Sequence, residues 1–395
     1  MGGLNVPLRD LNILYDCRHY KGDRPCAQNR LCDGCGHYQP FQGRILIIKI
    51  GALGDVIRTL CLLPELRRRH PHSQITWLTS PAAAAFIAGH PLIDRIIPFD
   101  PFTALALTHE RFHTLINLDK ESGPCGLAMS IPAATKLGIG LSEVGTPIPL
   151  NTQAQEFFQL GLSDELKFRQ NTRSYPHLVH QALGFEYTGQ PYELPVAPAA
   201  IQAVRTRLIE VGWSPDRPTL GVNVGAGKVF ANKMWTPQRT EQLLAQLHRR
   251  HADWQVMLVG GLEEKSALDQ LHAALPWTIH TGADNSAAIL VALIDQIDTL
   301  FSGDTLTMHL AIARRRGTVV FFGPTCEQEI DLFGLGEKLV ASTSCSPCYK
   351  RTCDRGDVCL SAVSIDSALL AIDRVMNHRL ATAGRIAPSE IRRAG

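Results

Sequence analysis

The chain has 395 residues, of which 45% are hydrophobic, 19% charged and 7% aromatic, and its formal net charge is +2. This composition is typical of a folded globular protein and excludes a disordered chain, a collagen-like repeat and a disulfide-stapled miniprotein. The balanced charge provides no overall attraction to nucleic acid, so no nucleic-acid partner is expected.

The chain is expected to be cytoplasmic and to fold as two domains. Its N-terminal stretch MGGLNVPLRDLNILYDC lacks the basic and apolar regions of an export signal, and no apolar run is long enough to span a membrane. Because the chain is longer than most single hydrophobic cores allow, two domains are the first expectation and one large α/β domain is the alternative. Its eleven cysteines predict reduced thiols or metal ligands.

Residues 1–40 form a cysteine-rich segment that is too polar and glycine-rich to make its own core. It contains two histidines and four cysteines: His19, His37, Cys17, Cys26, Cys32 and Cys35. Such a segment usually needs a bound metal or a cross-link to stay folded. Its four thiols predict a zinc site as the first choice and an iron–sulfur cluster as the second. Reduced or paired thiols, and a recognition or docking module, are the alternatives.

A first α/β domain is predicted over residues 41–195. The run Arg44–Ile50 is almost entirely branched and apolar, as in a buried parallel strand, and the glycine turn Gly51–Asp55 then leads into a helix over 56–70. Further strands are predicted at 73–79, 94–99 and 113–118.

The glycine turn puts Asp55 where a strand ends and a helix begins. Ligands of open α/β sheets bind beyond the carboxyl ends of the strands, so Asp55 is a candidate catalytic acid, and Gly54 would let a ligand approach the backbone. Capping of the helix by Asp55 is the competing explanation. The turn does not match the GxGxxG fingerprint of dinucleotide-binding proteins.

A proline-rich stretch at 187–198 predicts the boundary to a second α/β domain over residues 196–365, followed by a C-terminal helix and tail over 366–395. The strand-like runs PTLGVNVGAG, WQVMLVGG, DTLFSG and TVVFFGPT alternate with helical patterns over 236–251, 286–295 and 307–315. Two such βαβ halves predict two doubly wound sheets that face each other across a cleft.

Polar side chains are concentrated after the run DTLFSG. Thr305 or Thr307 is positioned to cap the next helix, whose free N–H groups can bind a diphosphate. Asp304 can accept hydrogen bonds from hydroxyl groups of a ligand, and His309 can donate a hydrogen bond to a phosphate oxygen. In the competing explanation the threonines only cap the helix and His309 is an ordinary polar residue of its first turn.

Three strings resemble, in order and spacing, glycosyltransferase family 9, the heptosyltransferases of lipopolysaccharide core synthesis: ILIIKIGALGDVIRTLCLLPELRRRHPHSQITWLT, GAGKVFANKMWTPQRTEQLL and GDTLTMHLAIARRRGTVVFFGPT. The resemblance covers roughly residues 44–365. It implies a GT-B fold of two Rossmann-like domains with the active site between them. It also implies ADP-heptose as donor, inversion at the anomeric carbon and no metal on the nucleotide.

The resemblance implies two catalytic residues. Asp55 matches the aspartate that acts as general base on the acceptor hydroxyl, and Lys233 matches a lysine that neutralises the donor phosphate. An inverting displacement needs such a base together with a cation that stabilises the departing diphosphate. By itself, Lys233 would be interpreted as a surface lysine.

The residues and the resemblance together predict a donor-binding set: Gly54, Glu264, Asp304, Thr305, Leu306, Thr307 and His309. Asp304 matches an acid that holds sugar hydroxyls, and His309 a histidine near the diphosphate. Glu264, or its neighbour Glu263, matches an acid that contacts the ribose. Leu306 stands where family members usually carry glycine, so its side chain is expected to restrict backbone approach or to reshape the sugar pocket.

Four more thiols lie within 15 residues near the end of the second domain: Cys345, Cys348, Cys353 and Cys359. Four sulfurs so close together suit zinc or iron, with free or paired thiols as the alternative. Relatives in this family that glycosylate autotransporter proteins carry an iron-binding finger with a similar cysteine pattern. The isolated residues Cys61, Cys125 and Cys326 are predicted only to pack.

Three functions compete. The first is transfer of heptose from ADP-heptose to lipopolysaccharide core or a similar lipid-linked glycan, with peripheral contact at the inner face of the inner membrane. For this first function, the basic run Arg67–His70 is expected to contact the anionic acceptor. The competing explanation is that the run is only the solvated end of a helix. The second function is glycosylation of a protein acceptor, and the third is a non-catalytic metal-binding scaffold on the same fold.

Overall fold

The computed structural model describes residues 12–225, 233–355 and 358–385. The end of the second glycine turn with the residues that follow it, 226–232, and the end of the predicted tail, 386–395, lie outside the described residues. Within the described ranges the chain forms two six-stranded sheets, one in each half. No helix in this part of the chain is long and apolar enough to cross a bilayer.

The first domain is built on a mainly parallel sheet with the strand order β3-β2-β1-β4-β5-β6, in which only β6 is antiparallel to its neighbour. Its elements are β1 (Gly43–Ile48), α1 (Leu53–Thr59), α2 (Leu63–Arg69), β2 (Ser73–Thr79), α3 (Pro81–Ile87), β3 (Arg95–Pro98), α4 (Pro101–Leu107), β4 (Phe112–Asn117), α5 (Ser122–Ser130), β5 (Ala133–Leu141), β6 (Pro147–Pro149), α6 (Ala154–Gln159) and α7 (Tyr175–Ala182). The direction of winding reverses between β1 and β4, and ligands of such sheets bind at this reversal.

The second domain repeats the arrangement in a fully parallel sheet with the order β12-β11-β10-β7-β8-β9, so that the reversal lies between β7 and β10. Its elements are α8 (Pro198–Glu210), β7 (Thr219–Asn223), α9 (Pro237–Arg250), β8 (Gln255–Val259), α10 (Lys265–Ala274), β9 (Ile279–His280), α11 (Ala287–Ile294), β10 (Thr299–Gly303), α12 (Leu306–Ala313), β11 (Gly317–Phe322), β12 (Gly336–Val340), α13 (Val358–Ser361) and α14 (Ile365–Thr382).

The predicted α/β class with two Rossmann-like sheets is confirmed, and each predicted strand is present within a few residues. The helix predicted over 56–70 begins earlier, at Leu53, and is divided by a 3₁₀ turn at Leu60–Leu62. Pro64 starts the second part, α2, because a proline lacks the N–H that a continuous helix would need. The stretch 183–197, which includes most of the predicted boundary, contains no helix or strand.

One cluster of buried apolar side chains extends through both domains, from Ile47 and Leu60 in the first to Met308 and Ile312 in the second. Helix α1 packs on α12, and α3 packs on α11. The carboxyl ends of the central strands of both sheets are therefore brought to one cleft.

The cysteine-rich N-terminal segment folds back on itself before β1. The N–H of Arg18 donates to the Gln39 carbonyl at 2.8 Å, and the N–H of Phe41 donates to the Asp16 carbonyl at 3.2 Å. Apart from the isolated bridge between Cys17 and Pro40, residues 12–42 have no regular strand or helix. The segment is thus a loop closed by backbone hydrogen bonds, as its polar composition predicts.

Candidate active site

The turn after β1 is held by a buried ion pair at the reversal point of the first sheet. The Lys49 ammonium pairs with Asp119, which follows β4, and donates to the Gly51 carbonyl. Ala52 occupies the N-cap position of α1, whereas Asp55 is the third residue of the helix. Asp55 is therefore not the N-cap residue, although its carboxylate accepts a hydrogen bond from the Ala52 N–H at the start of the helix, and the carboxylate also borders the cleft.

Asp55 is surrounded by cations. Its carboxylate lies 2.8 Å from the Arg58 guanidinium and 4.0 Å from the Lys49 ammonium, and 35% of the side chain is exposed. Burial raises the pKa of Asp55, but Arg58 and Lys49 outweigh it and hold the pKa below its ordinary value. Asp55 is consequently ionised at neutral pH while still open to a small ligand.

Arg58 connects the two domains. It lies 3.8 Å from Glu329 of the second domain, and its guanidinium stacks 3.7 Å from the centre of the Tyr175 ring. Burial lowers the pKa of Arg58, but Asp55, Glu329 and other nearby acids raise it above its ordinary value. Arg58 therefore remains charged and fixes the position of Asp55.

The domains meet at Gly54. An ideal Cβ at this position would lie 2.5 Å from Cδ2 and 3.0 Å from Nε2 of His309. Both distances are shorter than van der Waals contact, so glycine is needed here for α1 to approach α12. The sequence predicted a ligand against Gly54, whereas the group that contacts it is the imidazole of the second domain.

His309 is a buried neutral imidazole. Burial, with the charge of Arg58, lowers the pKa of His309 to about 4. Its Nδ1 lies 3.2 Å from the hydroxyl of Tyr192, whose pKa is raised by burial, so this hydroxyl keeps its proton. When the hydroxyl donates to Nδ1, the imidazole proton is on Nε2, which faces the turn that carries Asp55.

An ion pair occupies the reversal point of the second sheet. The Lys233 ammonium lies 3.1 Å from the Asp304 carboxylate just after β10, and only 18% of the lysine side chain is exposed. Burial raises the pKa of Asp304, but the charge of Lys233 lowers it, and the pKa lies below its ordinary value. The surface-lysine interpretation of Lys233 is therefore wrong, because the ammonium lies inside the cleft.

The threonines of the second motif hydrogen-bond to Asn223 at the end of β7. The Asn223 amide donates to the Thr305 hydroxyl at 3.2 Å and accepts from the Thr307 hydroxyl at 3.2 Å. Thr305 is at the N-cap position of α12 but makes no side-chain cap, so the predicted capping by a threonine hydroxyl is wrong. Leu306 packs partly buried against the core cluster.

Glu264 lies at the carboxyl ends of β7 and β8. Its carboxylate accepts the Gly261 N–H at 2.9 Å, and its side chain lies across Gly225, where a Cβ would be 1.8 Å from the glutamate Cγ. Glu263 is exposed. Of the two acids that the sequence offered, Glu264 is the one that lies beside the strand ends.

The basic run Arg67–His70 does not reach the cleft. Arg67 pairs with Asp94 and donates to the carbonyl of Ser73, the first residue of β2. Arg68 and Arg69 both pair with Glu65. Arg67 is therefore held at the amino end of β2, away from Asp55, and contact of the run with the acceptor stays a prediction.

All eleven cysteines are free thiols, so the paired-thiol alternatives are not found. The C-terminal set, Cys345, Cys348, Cys353 and Cys359, lines one cavity of 90 Å³, and the N-terminal set, Cys17, Cys26, Cys32 and Cys35, lines another of 20 Å³. Within the described residues no three Cys, His, Asp or Glu side chains are arranged as metal ligands. Cys61, Cys125 and Cys326 are buried, as predicted.

The sequence model of glycosyltransferase family 9 (heptosyltransferase) matches residues 161–358, which is half of the chain. The chain belongs to this family. The predicted resemblance is confirmed, and the protein is a glycosyltransferase, which favours the enzyme over the non-catalytic scaffold.

Three similar proteins illustrate how closely this glycosyltransferase matches others. It is 22% identical over 288 residues to the lipopolysaccharide core heptosyltransferase OpsX of Haemophilus influenzae, across 70% of this chain and 77% of that protein. It is 25% identical over 344 residues to lipopolysaccharide heptosyltransferase 1 of Pseudomonas aeruginosa, across 78% and 87%. The crystal structure of a family 9 glycosyltransferase from Veillonella parvula superposes with a TM-score of 0.68 at 18% identity, across 85% of this chain and 98% of that one.

Several residues of this glycosyltransferase site were missed in the sequence, among them Arg58, Asp119, Tyr192 and Asn223. Arg58 had a local signal, because residues three apart on a helix share a face. Asp119 and Asn223 follow or end predicted strands, but only the strand order places them beside the motifs. Tyr192 is in the proline-rich linker and gave no signal.

Proposed function

We propose that this glycosyltransferase moves a heptose from ADP-heptose to a lipopolysaccharide core or similar surface-glycan acceptor, with inversion at the anomeric carbon. The observation that carries the proposal is that Gly54, which precedes Asp55 in the first domain, packs against His309, at the cleft that also holds Lys233 and Asp304. The names of the two relatives support the sugar and the pathway. Residues 41–195 are assigned to the acceptor and 196–365 to the donor.

In this proposal Asp55 is the general base for the acceptor hydroxyl. An ionised aspartate with a lowered pKa is a weak base, so proton transfer comes late, when the hydroxyl oxygen is already bonding to an oxocarbenium-like carbon. The proton moves to Asp55, the bond to the anomeric carbon forms on the acceptor oxygen, and the diphosphate leaves with the electron pair of the bond that breaks.

The leaving diphosphate is stabilised by groups of the second domain. Lys233 provides a positive charge, and the neutral His309 donates its Nε2 proton to a phosphate oxygen. The free N–H groups at the start of α12 add donors, since no side chain caps this helix. Together they act where negative charge develops in the transition state.

The remaining donor-side residues are assigned to the sugar and the ribose. Asp304 holds heptose hydroxyls, Thr305 and Thr307 keep the start of α12 in place through Asn223, and Glu264 contacts the ribose. Leu306 borders the sugar pocket, where its side chain selects the shape of the transferred sugar.

A thermal-shift panel of ADP-, UDP- and GDP-sugars tests the donor. A ligand that binds only the folded protein raises its melting temperature, and ADP-heptose is expected to produce the largest shift. Lys233→Ala should reduce that shift, because it removes the cation that meets the diphosphate and leaves Asp304 unpaired. An equal response, or none, to all three donors would argue against the proposal.

A protein acceptor of the autotransporter type is the second candidate, favoured by the four C-terminal thiols that line one cavity. We propose that these thiols, and separately the N-terminal four, hold a structural zinc or iron. Thiolates suit both metals, and binding would draw the sulfurs closer than they lie now. Sugar transfer itself uses no metal in this proposal.

Elemental analysis of the purified protein is expected to find zinc or iron bound to the chain. The double variant Cys345→Ser/Cys348→Ser should lose the C-terminal metal and melt at a lower temperature, while Cys32→Ser/Cys35→Ser should lose the N-terminal one. Cys326→Ser is the matched control, because that thiol is isolated and buried. If the purified protein contained no metal, or if both double variants kept the same metal content, the proposed metal sites would be contradicted.

A further inference from the structure

A cavity of 310 Å³ lies beside Asp55 on the side away from the donor residues. Its walls come from the turn after β1 with the start of α1, the turn after β4, helix α7 and the stretch 157–167 that begins at the end of α6, with Glu329 closing one side. Neither Lys233, Asp304 nor His309 lines it. Because Asp55 borders this cavity, a molecule bound there can present a hydroxyl to the proposed base.

Four cations line the cavity, and three of them already have carboxylate partners. Lys49 pairs with Asp119, Arg58 with Asp55, and Lys167 lies 3.7 Å from Glu329. Within each of these three pairs, the carboxylate neutralises the charge of the cation. The fourth cation, Lys120, has no such carboxylate partner in the part of the chain that the structure describes.

Lys120 has no carboxylate within ion-pair distance among the described residues. Its ammonium donates to the Phe157 carbonyl at 2.6 Å and lies 4.2 Å from the centre of the Phe157 ring. Gly161 makes room for it, since a Cβ there would be 3.2 Å from the ammonium nitrogen. A partly buried ammonium with one neutral acceptor retains donors and charge for a ligand.

We infer that Lys120 binds an oxyanion of the acceptor, a carboxylate or a phosphate, and so orients the acceptor hydroxyl toward Asp55. The inference rests on the proposed function and names the chemistry of its acceptor. The anion-binding group proposed here lies in the same cavity as Asp55, whereas Arg67 of the basic run is held at the amino end of β2.

The electrostatic state of Lys120 agrees with this role. Burial, followed by the charge of Lys167, lowers the pKa of Lys120 to about 8. A bound oxyanion would raise this pKa again, because an opposite charge stabilises the protonated amine. The nearby acids Glu121 and Glu329 do not supply this charge: Glu121 is exposed, and Glu329 is engaged by Arg58 and Lys167.

The test uses three monosaccharides as probes: glucuronate for a carboxylate, glucose 6-phosphate for a phosphate, and glucose as the neutral reference. Binding to the full-length protein is measured by calorimetry in the presence of ADP, which occupies the donor side. At least one anionic sugar is expected to bind about tenfold more tightly than glucose, and Lys120→Gln should remove that difference. Lys120→Arg should restore part of it.

Lys136→Gln is the matched control, since Lys136 also donates to a backbone carbonyl, that of Met129, but lies outside the cavity. Melting curves of every variant establish that each is folded. The inference would be overturned if Lys120→Gln bound the anionic sugars as tightly as the unmodified protein does. It would also be overturned if Lys233→Ala, and not Lys120→Gln, lost that binding. Failure of the donor panel would overturn the proposed function, whereas an intact donor response with no effect of Lys120→Gln would overturn only this inference.

Discussion

Replacement of Asp55 by asparagine is expected to lower the rate of sugar transfer by about 10²- to 10⁴-fold, the range for loss of a general base. The amide keeps the shape of the side chain and can still accept from Arg58, so the turn should stay in place. Donor affinity should change only a few fold, because the diphosphate is assigned to the second domain. The measurement is single-turnover transfer at saturating donor, with a parallel thermal shift by ADP-heptose.

Asp100→Asn is the matched control for Asp55. Asp100 also follows a parallel strand of the same sheet and starts a helix, but it caps α4 with its own carboxylate and lies after the edge strand β3. Asparagine caps about as well as aspartate, so this variant should keep its activity. Turnover preserved in Asp55→Asn, or in Asp55→Ala, would remove Asp55 from the role of base.

Replacement of Gly54 by alanine is expected to lower kcat/KM by about a hundredfold through a steric effect between the domains, since a misplacement of about 1 Å can have that effect. The added methyl group would lie 2.5 Å from the His309 ring. That ring is buried and held by Tyr192, so it cannot move away cheaply. Separation of α1 from α12 would then move Asp55 away from the donor residues.

Gly123→Ala is the control for this variant, because the space around Gly123 is open and the residue lies in helix α5. Overpacking at Gly54 should also destabilise the fold by about 1–3 kcal/mol, measured by denaturant unfolding. In a His309→Ala background, Gly54→Ala should lower the free energy of unfolding much less, and a double-mutant cycle would detect this difference. Independent, additive effects of the two substitutions would contradict the proposed contact.

The elements that depend on short-range patterns were predictable. The apolar run of β1, the glycine turn after it and the strand before Asp304 were all placed within a few residues, because strand and helix periodicities are local properties of the chain. The strands β5, β6, β9 and β12 were not predicted. The short strands β6 and β9 form because neighbouring strands are already in place to pair with them.

The environment of each site residue was less predictable than its position. Asp55 was identified, but its partner Arg58 was not, although the two residues share one helix face. The charge of the basic run Arg67–His70 is visible in the sequence, whereas the partners of its side chains, such as the Ser73 carbonyl for Arg67, are not. Lys120 was overlooked because an isolated lysine after a strand has no pattern that distinguishes it from a surface lysine.

The sequence by itself determined the α/β class, the two glycine-turn motifs and the family, since these follow from local periodicity and from motif spacing. The tertiary structure decided that Gly54, the neighbour of Asp55, packs against His309, that Lys233 pairs with Asp304 and that Lys120 has no ion-paired acid among the described residues. Those relationships depend on the strand order and on the packing of α1 against α12. Both arise from contacts between residues far apart in the chain, which no local pattern of residues encodes.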